Sequence, residues 1–171
     1  MEPETLKEPF LQATKASVEE SFTTLLSLSP KVSDKDLAIT TEELICSIGF
    51  TREIEGSMAI DISGAAACKL VSKMLGMDIT EVSKDVTDGV GELLNMVAGG
   101  VKRQLEKTLK TFEISLPTTI KGQDLKVAMS AGVTSMKTGF DCGEFTFTII
   151  SFYRVHKEGE PGKVAIKTSG V

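Results

Sequence analysis

Asp88, Glu92 and Asn95 stand four and three residues apart in the stretch Val86-Thr-Asp-Gly-Val-Gly-Glu-Leu-Leu-Asn-Met-Val-Ala-Gly-Gly-Val-Lys-Arg-Gln-Leu. On an α-helix, which turns about 100° per residue, that spacing stacks all three on one face. Two are carboxylates that only accept, and the third is a carboxamide that donates and accepts. Side chains three apart on one rigid helix keep a fixed separation, which suits a site presented to a second molecule. Gly99 continues the row, followed by Lys102, Arg103 and Glu106, while Val90, Leu94, Val97, Val101 and Leu105 fall on the opposite side.

The row is costly for an ordinary helix surface. Asn is a poor interior helix residue, and Gly91, Gly99 and Gly100 each cost about 1 kcal/mol against Ala. A missing side chain at Gly99 lets another backbone approach closely. By spacing alone, the row also reads as a solvated polar face with small residues for packing.

The rest of the chain narrows the chemistry. His156 is the only histidine among 171 residues, and nothing beside it suggests a nucleophile system. Cys46, Cys68 and Cys142 form no C-x-x-C pair and sit among apolar or small residues, which predicts buried reduced thiols and no metal site. A net charge of −5 argues against non-specific nucleic-acid binding. Trp is absent and Tyr153 is the only Tyr, so aromatic stacking platforms are not expected. The acidic start, Met1-Glu-Pro-Glu-Thr, has no signal-peptide pattern, and no apolar run reaches the ~18 residues of a membrane span. A cytoplasmic protein is expected.

The elements that must carry the row follow from periodicity. Residues 4–28 read as an amphipathic helix through Leu6, Phe10, Ala13, Val18, Phe22 and Leu25, with Pro9 in a first turn and Pro30 as the stop. Two strands, 44–51 and 56–62, flank a turn at 52–55. Ser63 caps a small-residue helix, 64–75, that Gly76 ends. The row lies on a long helix, 86–109. Strands are expected at 113–116, 125–135 and 144–155, with Gly122-Gln-Asp and Asp141-Cys-Gly-Glu as turns. Residues 1–156 form the expected domain; 157–171 read as a tail, either an edge strand at Val164-Ala-Ile or disorder. Without βαβ alternation the fold class is α+β with a largely antiparallel sheet. A weak repeat lays Gln12 on Asn95.

The row resembles the motif of the CheC/CheX/FliY family of chemotaxis phosphatases. That pattern is an acidic residue or Ser, three residues, Glu, two residues, Asn, and a Pro about 22 residues further on. Here it reads Asp88, Glu92, Asn95 and Pro117, with 21 residues between the last two. Leu94-Asn-Met-Val-Ala-Gly-Gly, Phe10-Leu-Gln-Ala-Thr and the 67–77 helix are similar too. The likeness covers roughly residues 5–155. CheC-like members carry the Glu/Asn pair in both pseudo-repeats. This chain offers Pro9 and Gln12 in the first, which leaves one site and points to the CheX-like branch.

The resemblance implies a pseudo-symmetric fold, a homodimer through edge strands, and hydrolysis of the aspartyl phosphate of a CheY-type receiver domain. Asn95 would hold the attacking water, and Glu92 would pair with the receiver's active-site lysine. No cofactor would be bound by this chain, and Mg2+ would sit on the receiver's carboxylates. Asp88, Met96, Gly99 and Lys102 are the expected partner contacts; Lys102 and Arg103 also read as helix-end cations that meet the dipole. The other methionines read as core filling. The rival is a non-catalytic receiver-binding or flagellar-switch-type docking module.

Overall fold

The structure is a computed structural model, and it describes residues 3–33, 43–109, 111–122 and 132–155. The long first helix, α1, spans Pro3–Leu26 and buries Leu6, Phe10, Ala13, Val18 and Phe22. Starting at Pro3 moves Pro9 into the second turn, on the exposed side, rather than the first. There its ring has no N–H for the Thr5 carbonyl. Ser27, not Pro30, stops the helix: it takes a φ of 55°, Ser27 N donates to Thr23 O, and Leu28 N donates to Phe22 O. That is a left-handed closure, here without the usual glycine.

β1 (Lys31–Ser33) precedes a hairpin of β2 (Glu43–Arg52) and β3 (Ile54–Ser63). The hairpin turn is tighter than the expected 52–55, because the strands run on to Arg52 and from Ile54. Arg52 takes a φ of 96° to make it. α2 follows at Gly64–Leu75, with Ser63 Oγ accepting from Ala66 N and left-handed Gly76 as the cap. α3 spans Lys84–Leu105, starting earlier and ending sooner than expected. Then come β4 (Phe112–Ile114), β5 (Thr118–Gly122), β6 (Thr134–Asp141) and β7 (Thr146–Val155).

Three strands depart from the sequence reading, the first being β1, which forms where only a polar, partly extended stretch is expected over 31–43. β5 was not expected; Gly122 ends it instead of opening a turn. Its residues are mostly exposed, so no apolar run marks it, and its pairing with β2 defines it. The strand expected at 125–135 falls largely on residues outside the described ones. The described strand in that region, β6, is defined by pairing with β7 and buries only Thr138 and Phe140. His156 and Val164-Ala-Ile also lie outside the described residues, as do the part of 31–43 expected to be extended, Asp36-Leu-Ala-Ile-Thr, and Met129, one of the methionines expected as core filling.

All described strand pairs are antiparallel, in the order β1-β6-β7-β3-β2-β4, with β5 also on β2. The order is two-fold in plan. Each half contributes a helix, a short strand and a hairpin, and each short strand pairs with the other half's hairpin. β3 and β7 join the halves at the centre, and among the described elements α2 and β5 have no counterpart. One sheet face, through Leu44, Cys46, Ile48, Phe50, Met58, Ile60, Phe147, Ile149 and Tyr153, enters the core with the helices. Phe10 stacks on Tyr153 at 5.2 Å and Phe22 on Phe147 at 4.9 Å, which fastens α1 to the sheet. Among the described residues no helix is long and apolar enough to cross a membrane.

Two stability predictions follow from this packing. Ser151 on β7 is buried opposite Met58 and Met136, and its hydroxyl finds no hydrogen-bond partner among the described residues. Ser151→Ala should therefore raise unfolding free energy in urea by about 1 kcal/mol. Gly100 of α3 meets Ser17 of α1 so closely that an added Cβ would stand 2.7 Å from Ser17 Oγ and 2.9 Å from its Cβ. Gly100→Val should cost about 2 kcal/mol by prising the helices apart, seen as a lower urea midpoint.

Candidate functional site

α3 is amphipathic, with Val86, Val90, Leu93, Leu94, Val97, Ala98, Val101 and Leu105 buried. Asp85 in its first turn and Lys102 and Arg103 in its last complement the helix dipole. Its rotation about its own axis is set by bare backbone. A Cβ on Gly89 would meet Val71 of α2 at 2.8 Å, and one on Gly100 would meet Ser17 of α1. On Gly91 it would touch the Pro117 ring at 3.5 Å and Cys46 Sγ at 3.9 Å. Gly99 differs, since nothing lies within 4 Å of a Cβ there. Three of these glycines are consumed by internal packing, and the fourth is an open notch.

That orientation aims the predicted row outward. Asp88 and Glu92 are exposed; Asn95, Met96, Gly99 and Lys102 are half-buried. Asp88 is engaged by Lys84 one turn earlier, which raises the Lys84 pKa. Glu92 and Asn95 make no side-chain hydrogen bond or ion pair among the described residues. An unspent carboxylate and an unspent carboxamide thus stand one turn apart on a braced helix, beside the Gly99 notch.

The C-terminal end of the row is basic but tethered. Arg103 pairs with Glu20 of α1 at 2.8 Å, and Gln104 Nε2 donates to Ser17 Oγ at 3.0 Å. Arg52 pairs with Glu113 of β4 at 3.0 Å and holds that carboxylate below its ordinary pKa, with Lys102 adding a smaller pull. On the first-repeat helix, Gln12 donates to Glu8 at 2.7 Å, so its amide is partly used, and exposed Pro9 stands where the carboxylate would be.

The remaining reactive groups lie elsewhere. Cys46 is buried, and desolvation raises its pKa against a hydrogen bond to Thr119. Burial, with Asp141 beside it, pushes the Cys142 thiol up to about 12. Neither has the environment of a thiolate nucleophile. Among the described residues no three His, Cys, Asp or Glu converge as a metal-ligand set. The sequence reading missed what Pro117 does: it packs on Gly91, one residue from Glu92. Only its place in the motif hinted at a role.

The family model described as chemotaxis phosphatase CheX matches residues 44–141, which hold the whole of α3. The chain belongs to the CheX family. The CheY-P phosphatase CheX of Thermotoga maritima is 35% identical over 115 residues, covering 65% of this CheX-family chain and 74% of that protein. The crystal structure of chemotaxis protein CheX from Vibrio vulnificus superposes with a TM-score of 0.75 at 25% identity, covering 85% of this chain and 96% of that one. The CheX chain of a CheX-CheY-BeF3-Mg2+ complex from Borrelia burgdorferi gives a TM-score of 0.67 at 22% identity over 86% of this chain and 96% of that chain, a likeness of fold. The expected α+β class and CheX-like branch agree with these relatives.

The notch supplies a stability test. Gly99→Ala should gain up to about 1 kcal/mol in urea unfolding, because the new methyl meets nothing and the helix loses a glycine.

Proposed function

We propose that this CheX-family chain hydrolyses the aspartyl phosphate of a phosphorylated CheY-type receiver domain and so ends a chemotaxis or related two-component signal. The observation that carries the reading is the free Glu92/Asn95 pair, one turn apart on the outer face of α3. An acyl phosphate is already activated, so the catalyst's task is to place a water in line and support the charge. Water attacks phosphorus, the P–O bond to the receiver's aspartate breaks, and the products are inorganic phosphate and the free carboxylate. Mg2+ belongs to the receiver's own carboxylates.

Asn95 suits the water. Its Oδ1 accepts from the water's O–H, and its Nδ2 can donate to the phosphoryl oxygens or the water itself. Half-burial limits its rotamers, which keeps the amide aimed. Glu92 is exposed and unpaired, so it can meet a lysine of the receiver as the helix docks. Gly99 leaves room for the receiver's backbone. Asp88, held by Lys84 one turn earlier, flanks the contact with Met96 and Lys102. A single CheX-like domain over residues 1–156, a homodimer joined along sheet edges, and a cytoplasmic location belong to the same proposal. Exposed Val32 on β1 and Ile120 on β5 lie on outer strands suited to that pairing.

The test is phosphate release from a phosphorylated CheY-type receiver with wild-type chain, Asn95→Ala and Glu92→Ala side by side. Asn95→Ala should slow turnover about 100-fold or more while binding persists, as when a positioned transition-state contact is removed. Glu92→Ala should weaken affinity about tenfold and lower the rate with it. Full activity in Asn95→Ala would defeat the assigned mechanism. Binding without acceleration by wild type would favour the docking-module reading.

A further inference from the structure

β4 and β5 both pair with β2, and the chain between them is one residue too long for an unbroken ladder. Phe50 pairs with Ile114, and Ser47 pairs with Thr118. Between those pairs β2 has Ile48 and Gly49, while the opposing chain has Ser115, Leu116 and Pro117. Three residues against two is a β-bulge, a device that re-aims side chains and is common beside active sites. Pro117 has no N–H to give the ladder, which suits it to such a place.

The bulge decides which residues face α3. Directly paired residues of antiparallel strands share a face. Ile114 shares the core side with Phe50; past the bulge, Thr119 shares it with Cys46 and Lys121 with Leu44. Pro117, two residues before Thr119, is turned to the same side. In an unbroken strand the alternation from Ile114 would send Leu116, Thr118 and Ile120 inward instead. The observed register leaves Leu116 84% and Ile120 53% exposed, so apolar burial did not select it. Its contacts lie at α3. The Pro117 ring stands 3.5 Å from the place of a Cβ on buried Gly91, and Cys46 Sγ stands 3.9 Å from it. Ring and sulfur close that flank of the helix. Glu92 is the next residue, and Asn95 follows Gly91 by one turn.

Ser115 holds the break in the ladder. Ser115 N donates to Gly49 O at 3.0 Å, and Gly49 N donates to Ser115 Oγ at 2.9 Å. The same hydroxyl donates to the Leu116 carbonyl at 2.9 Å. One side chain thus satisfies the β2 donor and the carbonyl of the inserted residue, which the interrupted ladder leaves without partners.

We propose that Ser115 is a positioning residue for the reaction: it fixes the bulge that seats the Pro117 ring on Gly91, and so sets the aim of the α3 turn carrying Glu92 and Asn95. The inference rests on the receiver-phosphatase reading above and adds a residue that the family motif does not contain. Glu92 is long and exposed and tolerates a small shift of its turn. The short Asn95 amide does not, so the loss falls on turnover.

The experiment measures phosphate release against receiver concentration for wild type, Ser115→Ala, Ser115→Thr, Pro117→Ala, Asn95→Ala and the Ser115→Ala/Asn95→Ala double variant, with thermal melting of each. Ser115→Ala and Pro117→Ala should each lower kcat about fivefold or more and leave KM within about twofold. Ser115→Thr keeps the hydroxyl and should hold kcat within about twofold of wild type. In the Asn95→Ala background, Ser115→Ala should lower the remaining rate by less than about twofold, because the amide it aims is gone. An unchanged kcat in Ser115→Ala, an effect confined to KM, or an undiminished loss in the Asn95→Ala background would overturn the inference. Should Ser115→Ala melt below the assay temperature, Pro117→Ala decides by the same kcat criterion. A wild-type chain that does not accelerate hydrolysis would instead overturn the phosphatase reading. Ser115 is then judged by NMR of the free chain: a shift of the Gly91 backbone amide and Asn95 side-chain amide resonances in Ser115→Ala but not in Ser115→Thr supports the positioning role, and any other pattern overturns it.

Discussion

The rotation of α3 is the constraint on which the rest of the molecule depends. Gly89 and Gly100 press bare backbone onto Val71 of α2 and Ser17 of α1, and Gly91 faces the Pro117 ring after β4 with room for no more than an ordinary contact. The three contacts come from three different elements and lie on both flanks of the helix. A helix held this way neither rolls nor slides without driving a Cα into an adjacent side chain, and close-packed interiors resist such displacement. The cost is about 1 kcal/mol of helix propensity at each glycine. The return is a fixed bearing for exposed Glu92 and half-buried Asn95 on the outer side of the helix. Side chains on a packed helix do not rely on loop motion for their aim, so the aim is built into the packing.

The sheet makes that packing durable. Its order places each half's short strand on the other half's hairpin, so neither half completes its edges alone. The β3–β7 pair at the centre is long, running from Ile54↔Val155 to Asp61↔Thr148. Phe10 and Phe22 of α1 stack on Tyr153 and Phe147 of β7, and Phe50 of β2 links Phe10 to Phe112 of β4. α3 is therefore seated on a base whose strands and covering helix are mutually fastened. The two-fold plan also explains why α1 resembles α3 without duplicating its chemistry. Pro9 and the Glu8–Gln12 hydrogen bond stand where α3 carries a free carboxylate and a free amide.

The charges around the row divide into spent and unspent. Lys84 takes Asp88, Glu20 takes Arg103, and Glu113 takes Arg52. These exposed pairs add little stability singly. Among the described residues, Glu92 keeps a carboxylate without a cation, one turn from an Asn95 amide without a partner.

The sequence by itself determined the helices, the class of fold and the row. Helical period placed Asp88, Glu92, Asn95 and Gly99 on one face, and the caps at Ser63 and Gly76 marked α2 because capping is a local hydrogen-bond requirement. The β2–β3 hairpin was legible for the same reason, since its alternation and turn lie within one short stretch. What only the tertiary structure decided was everything that depends on long-range contact. β5 and β6 carry few buried side chains, so their identity comes from pairing with β2 and β7 and left no apolar pattern to read. The glycines of α3 looked alike in sequence, yet three are filled by distant residues and one is open. Pro117 gave no local sign that it meets α3 at Gly91. Periodicity reports which way a side chain points from its own element; which neighbour it meets is fixed only when the elements pack.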